Sequence, residues 1–151
     1  MKLEHLIIAS LVKREDYARK VLAFLIPEYF ADNTERTVYE MVARYFQKYN
    51  VCPATAALRV ETDALSINQK DHETVAELID AIESVDVPKD LDWLVDSTEK
   101  WCKDRAVYNA IYNCIKIIDD TEEKQTDEDP YDKSIFKKSQ EKFKQNFNDW
   151  E

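Results

Sequence analysis

The sequence predicts an all-α fold, a compact multi-helix head followed by a long antiparallel helical hairpin, and three features carry that expectation. The chain has 151 residues and no glycine, where average composition would supply about ten. Primed hairpin turns and bulges lean on glycine, so a sheet is disfavoured. Residues 90–120, DLDWLVDSTEKWCKDRAVYNAIYNCIKIIDD, lack proline as well and span roughly 45 Å if helical throughout. Residues 133–150 place Phe136, Phe143, Phe147 and Trp150 at steps of seven, four and three, the narrow seam of a second helix. Joined by a polar loop, these two helices make a hairpin over 90–151, leaving 1–89 as the head.

Taken in order, Leu3, Leu6, Ile7, Leu11 and Val12 mark an inward stripe on a first helix over 3–13. A second helix starts near Glu15 or Asp16, whose acids suit an N-terminus, and carries Tyr17, Val21, Leu22, Phe24 and Leu25 until Pro27 stops it. Glu28, Tyr29 and Phe30 form an aromatic plug. Asp32 or Asn33 caps the next helix, in which Val38, Met41, Val42, Tyr45, Phe46 and Tyr49 share one broad face. After a break at Asn50, Val51 and Cys52, Pro53 suits the first turn of a short helix through Leu58. A looser stretch with Leu65 and Ile67 leads to a helix over 71–85, with Val75, Leu78, Ile79 and Ile82 on one face and Pro88 beyond its end. The long helix is amphipathic at first, through Leu91, Leu94, Val95, Trp101 and Cys102. From Val107 to Ile118 its apolar residues point in almost every direction, so contacts on two sides are expected. Residues 119–132 then hold eight acids, one lysine and a proline, the composition of a solvated loop.

Composition also excludes chemistry. Without glycine there is no Walker phosphate loop, dinucleotide fingerprint, nucleophile elbow or calcium loop. A net charge of −10 argues against a duplex-binding surface and favours protein partners. Cys52, Cys102 and Cys114 show no CxxC spacing, which suits reduced, buried thiols in a cytoplasmic setting. No signal peptide or membrane span is expected. His5 and His72 are the only histidines and neither adjoins a nucleophile, so no catalytic residue, metal or cofactor is assigned. Asp71, His72, Glu73 and Glu77 read as an acidic helix start. Arg105, set between Trp101, Cys102 and Asn109, is either a snorkelling surface residue or an interface anchor.

The order of features resembles a known family. LEHLIIASLVKREDYARKVLAFLIPEYFADNTERTVYEMVARYFQKYNVCPATAAL is similar to the start of DnaB-type hexameric replicative helicases, and DWLVDSTEKWCKDRAVYNAI resembles the segment where that family sets an arginine, here Arg105, before an aliphatic helix. The flavour is that of T4-like bacteriophages. The resemblance implies an N-terminal collar domain that self-associates as dimers or higher, as a hexamer in a full-length parent, and offers surfaces to primase and a helicase-loading protein in the host cytoplasm. The motor's Walker motif is missing here, so ATP hydrolysis and unwinding are not expected of this chain alone. On this reading Trp101, Arg105, Tyr108, Tyr112 and Ile115 form the oligomer interface, and Phe136, Phe143, Phe147 and Trp150 pack the hairpin. The alternative is a stand-alone acidic phage adaptor that binds a host or replication protein.

Overall fold

A computed structural model describes residues 1–124 and Lys142. The tail helix expected over 133–150, with Phe136, Phe143, Phe147 and Trp150, lies outside the described residues. Those described are all-helical: α1 Leu3–Lys13, α2 Glu15–Val21, a 3-10 turn Pro27–Tyr29, α3 Asn33–Tyr49, α4 Thr55–Asp63, α5 Gln69–Glu83 and α6 Leu91–Lys124. The chain divides into two compact units, the first being Met1–Glu99 and the second beginning at Lys100, so that α6 belongs to both.

In the first unit α3 touches α1, α4, α5 and the 3-10 turn, while α1 touches α2, α3 and α5. This central position explains why α1 departs from a simple stripe. Ile7, Ile8, Ala9, Ser10 and Leu11 are all buried, covering every direction of the helix, whereas Leu3, Leu6 and Val12 are only half-buried. The buried Ser10 hydroxyl is satisfied by the Leu6 carbonyl at 2.7 Å. Tyr17, Phe30, Val38, Met41, Val42, Leu58, Ile79 and Ile82 complete the core.

Local chemistry sets the boundaries. Asp32 caps α3, its Oδ1 accepting from the Thr34 N–H at 2.7 Å and the Glu35 N–H at 3.4 Å. The helix ends at Asn50, which takes the left-handed conformation at φ 57° and which asparagine tolerates better than most residues. α2 stops at Val21, short of the expected Leu25. Pro27 holds Ile26 extended at φ −130°, and leaving the helix early buries Leu25, whose carbonyl accepts the Tyr39 hydroxyl at 2.9 Å. α4 begins at Thr55, two residues after Pro53, and runs on to Asp63. α5 starts at Gln69 rather than Asp71, because Asn68 is its cap and accepts from the Asp71 N–H at 2.8 Å. α6 continues past the expected end at Asp120 to Lys124. Asp119 and Asp120 are exposed yet helical, and the Thr121 hydroxyl returns to the Ile117 carbonyl at 2.7 Å.

Polar ties join the elements. Arg59 on α4 holds Asp80 at 2.6 Å and Glu83 at 2.8 Å on α5, with the Thr55 hydroxyl on Glu83 at 2.9 Å. The Thr55 hydroxyl and Arg59 together keep the Glu83 carboxyl below its ordinary pKa. Glu35, buried on α3, lies 3.2 Å from His5 Nε2 and 3.8 Å from Lys2 Nζ. Burial, then the charges of Asp32 and Glu4, push its pKa up despite those two partners. Of the cysteines only Cys102 is buried; Cys52 and Cys114 are half-buried, which corrects the expectation for those two. All three are free thiols, and burial with the neighbouring Glu15 raises that of Cys52.

Candidate interaction surface

The second unit holds the stretch of α6 that the sequence marks as apolar all round. Its small residues turn inward: Cys102, Ala106 and Ala110, successive i to i+4 positions, are buried. Its large ones do not. Ile111, Tyr112, Ile115 and Ile118 follow Tyr108 by three, four, seven and ten residues, and all five are 50–56% exposed, with Val107 beside them at 38%. Such spacing places them along one side of a helix. Covering each would contribute on the order of 1 kcal/mol, and a contiguous exposed apolar stripe of this kind marks an interaction site more often than a solvated face.

The stripe is ordered internally. The rings of Tyr108 and Tyr112 are stacked, with centroids 6.4 Å apart and planes within 8°. The Arg105 guanidinium lies 4.6 Å from the Tyr108 centroid and reaches the Asn109 Oδ1 at 3.4 Å. Arg105, Tyr108 and Tyr112 therefore form a ladder of cation and rings along two successive helical steps. Half-buried and stacked in this way, Arg105 keeps both of its sequence readings open.

Of the residues picked from the sequence, Tyr108, Tyr112 and Ile115 lie on this stripe and Arg105 borders it. Trp101, one heptad ahead of Tyr108, is 8% exposed and is not part of the open face. Ile111, Ile118 and Val107 belong to it and went unpicked. The signal for Ile111 and Ile118 was present in their three-residue steps from Tyr108 and Ile115, but it was masked by the alternative apolar positions Ala110, Cys114 and Ile117 around the helix.

A second surface lies in the first unit, where α3 meets α4. Arg44, Tyr45, Lys48, Tyr49, Glu61, Ala64 and Leu65 line a shallow cleft. The rings of Tyr45 and Tyr49 stand 4.7 Å apart, and Lys48 lies 5.2 Å from the centroid of Tyr49. Both tyrosines share the broad apolar face of α3 that their spacing predicts, and Tyr49 is exposed at its C-terminal end. Among the described residues no three His, Cys, Asp or Glu side chains gather as metal ligands. No helix among them is long and apolar enough to cross a membrane.

No family model matches the chain. It is similar to a DnaB-like replicative helicase of Enterobacteria phage T4, with 29% identity over 112 residues. The match covers 74% of this chain but only 23% of the relative, so the chain spans less than a quarter of that protein's length. The likeness supports a DnaB-like relationship.

Proposed function

We propose that this chain is a non-catalytic collar module of a phage replicative DNA helicase, which self-associates through α6 and docks primase or a helicase loader. The observation that carries the reading is the open stripe of Tyr108, Ile111, Tyr112, Ile115 and Ile118 on a chain similar over three quarters of its length to a DnaB-like helicase. The relative's name places it in replication, and a replication role is carried from there to this chain. A collar must offer one surface to its own copies and others to partners. The apolar stripe suits the first duty, since a self-complementary apolar patch generates an isologous contact. Surfaces of the first unit, the Tyr45 and Tyr49 cleft among them, suit the second.

The docking half of the reading is tested by titrating the fluorescently labelled chain with the purified primase and helicase loader of the same phage. Saturable anisotropy with at least one is expected, with no ATP turnover by the chain alone. Failure of both partners to bind would remove the docking role.

A further inference from the structure

Arg44 and Lys48 stand one turn apart on α3, both exposed, on the wall of the cleft between α3 and α4. Among the described residues neither has a carboxylate within ion-pair distance, although Glu40 lies one turn before Arg44 and Glu61 lines the same cleft. Elsewhere in the first unit Arg14, Arg19 and Arg59 each hold a carboxylate. Lys48, in the last turn of α3, suits the helix dipole, but Arg44 stands a turn too early for that. We propose that this cleft takes a short acidic peptide carrying a bulky apolar residue, with its carboxylates on Arg44 and Lys48 and its apolar side chain against Tyr45, Tyr49 and Leu65. The assignment deepens the docking reading above and rests on it for the biological partner.

The apolar half of the ligand follows from the walls. The Tyr45 and Tyr49 rings stand 4.7 Å apart with their planes inclined at 49°, and Tyr49 is 52% exposed. Leu65, just past the end of α4, is half-buried. Val60, one turn before Ala64, is 70% exposed and extends the apolar rim. The cleft encloses about 340 Å³, at the low end of ligand pockets and enough for one or two side chains. Aromatic walls beside a cation also fit the hot-spot composition of protein interfaces.

Charge and hydrogen bonding decide between a peptide and a nucleic-acid strand. A groove for single strands tracks the backbone with a run of cations, whereas this one offers Arg44 and Lys48 and sets Glu61 against them. The chain as a whole carries −10, which repels a polyphosphate at long range. Glu61 can accept the backbone N–H groups of a peptide, donors that a phosphodiester backbone lacks. Carboxylates of the peptide meet two cations with no internal partner to displace, so the polar contacts form without breaking others.

Fluorescence anisotropy on the full chain tests the assignment, with a labelled peptide made of a run of aspartates followed by leucine and phenylalanine. Saturable binding at about 10–100 μM is expected, weakening at least tenfold or so as salt rises from about 0.05 to 0.3 M. Replacing the aspartates by asparagines, or the leucine and phenylalanine by serines, is expected to weaken it about tenfold each. The double variant Arg44→Glu with Lys48→Glu should lose the acidic peptide and gain the matching peptide with a run of lysines, with circular dichroism unchanged. Tyr49→Ala should weaken the acidic peptide about fivefold. Absence of saturation, equal binding by the folded double variant, or tighter cleft-dependent binding of a single-stranded oligothymidylate would each overturn the assignment. If primase or loader binds the chain and the peptide does not, the assignment falls and the docking reading stands. If the peptide binds through Arg44 and Lys48 and neither of those partners does, the cleft assignment stands and they are excluded as the source of the ligand.

Discussion

The phenol oxygen of Tyr17 and the hydroxyl of Thr98 lie 2.5 Å apart across 81 residues of sequence, both buried. Thr98 gives its own proton to the Leu94 carbonyl at 2.7 Å, so Tyr17 is the donor between them. This bond ties the start of α6 to α2 within the first unit. Thr98→Val leaves the phenol without that acceptor and is expected to cost about 1–3 kcal/mol, while Tyr17→Phe costs about 1 kcal/mol. The double variant should lose less than the sum, because removing both partners leaves no orphan. Urea denaturation of the four proteins checks this, and strict additivity would contradict the coupling.

A second tie fixes the segment before α6. Lys13 Nζ donates to the Glu83 carbonyl at 2.9 Å and to that of Val85, and Arg14 Nη1 donates to the carbonyls of Pro88 at 3.0 Å and Lys89 at 2.9 Å. Charged donors on backbone carbonyls contribute about 1.5–3 kcal/mol each. Arg14→Ala should therefore speed hydrogen exchange at the amide of Val85, which donates to the Ile82 carbonyl, while leaving those of Val42 and Ile79 slow. Uniform acceleration across the unit would assign Arg14 to global stability instead.

The cap of α3 makes a simpler case. Asp32→Ala removes the acceptor for the Thr34 and Glu35 N–H groups and is expected to cost about 1 kcal/mol, with Asp32→Asn recovering most of it. Thermal or urea unfolding of the two variants provides the check.

Glu35 sets a pH dependence whose sign follows from its environment. Burial first, then Asp32 and Glu4, raise its folded pKa above the ordinary value, so the folded chain holds this proton more tightly than the unfolded one. Stability from this group is greatest below the ordinary carboxylate pKa and falls as pH rises through the raised value. Glu83 works in the opposite sense: its lowered pKa gives stability present at neutral pH and lost as pH falls through that value. Comparing Glu35→Gln with wild type isolates the first effect. The variant is expected to gain stability relative to wild type at neutral pH, with the gain shrinking toward about pH 4. A difference that widens on acidification would contradict the sign.

Much of the fold was legible because helices with apolar spacing announce themselves. Val38, Met41 and Val42 bury the face of α3 that their spacing predicts, and Val75, Leu78, Ile79 and Ile82 do the same for α5. Boundaries were harder where a tertiary gain decides them. Leu22 and Phe24 continue the apolar pattern of α2, but burial of Leu25 ahead of Pro27 ends the helix sooner. The acids beginning at Asp119 state that the chain is solvated there, and solvation does not forbid a helix. On α6 the sequence shows which residues are apolar but not which of several apolar sides is covered. Trp101 and Tyr108 stand one heptad apart with the same helical phase, yet one is buried and the other open. Only tertiary structure separates them.

The central claim is that the open stripe of α6 is where copies of this chain meet. Sedimentation equilibrium from low to high micromolar concentration tests it most directly, on the wild type and on Tyr108→Asp and Tyr112→Asp. The account predicts reversible self-association of the wild type and loss of it in both variants, whose circular dichroism stays helical. A wild type that remains monomeric at high micromolar concentration, or an association that neither substitution changes, would contradict it.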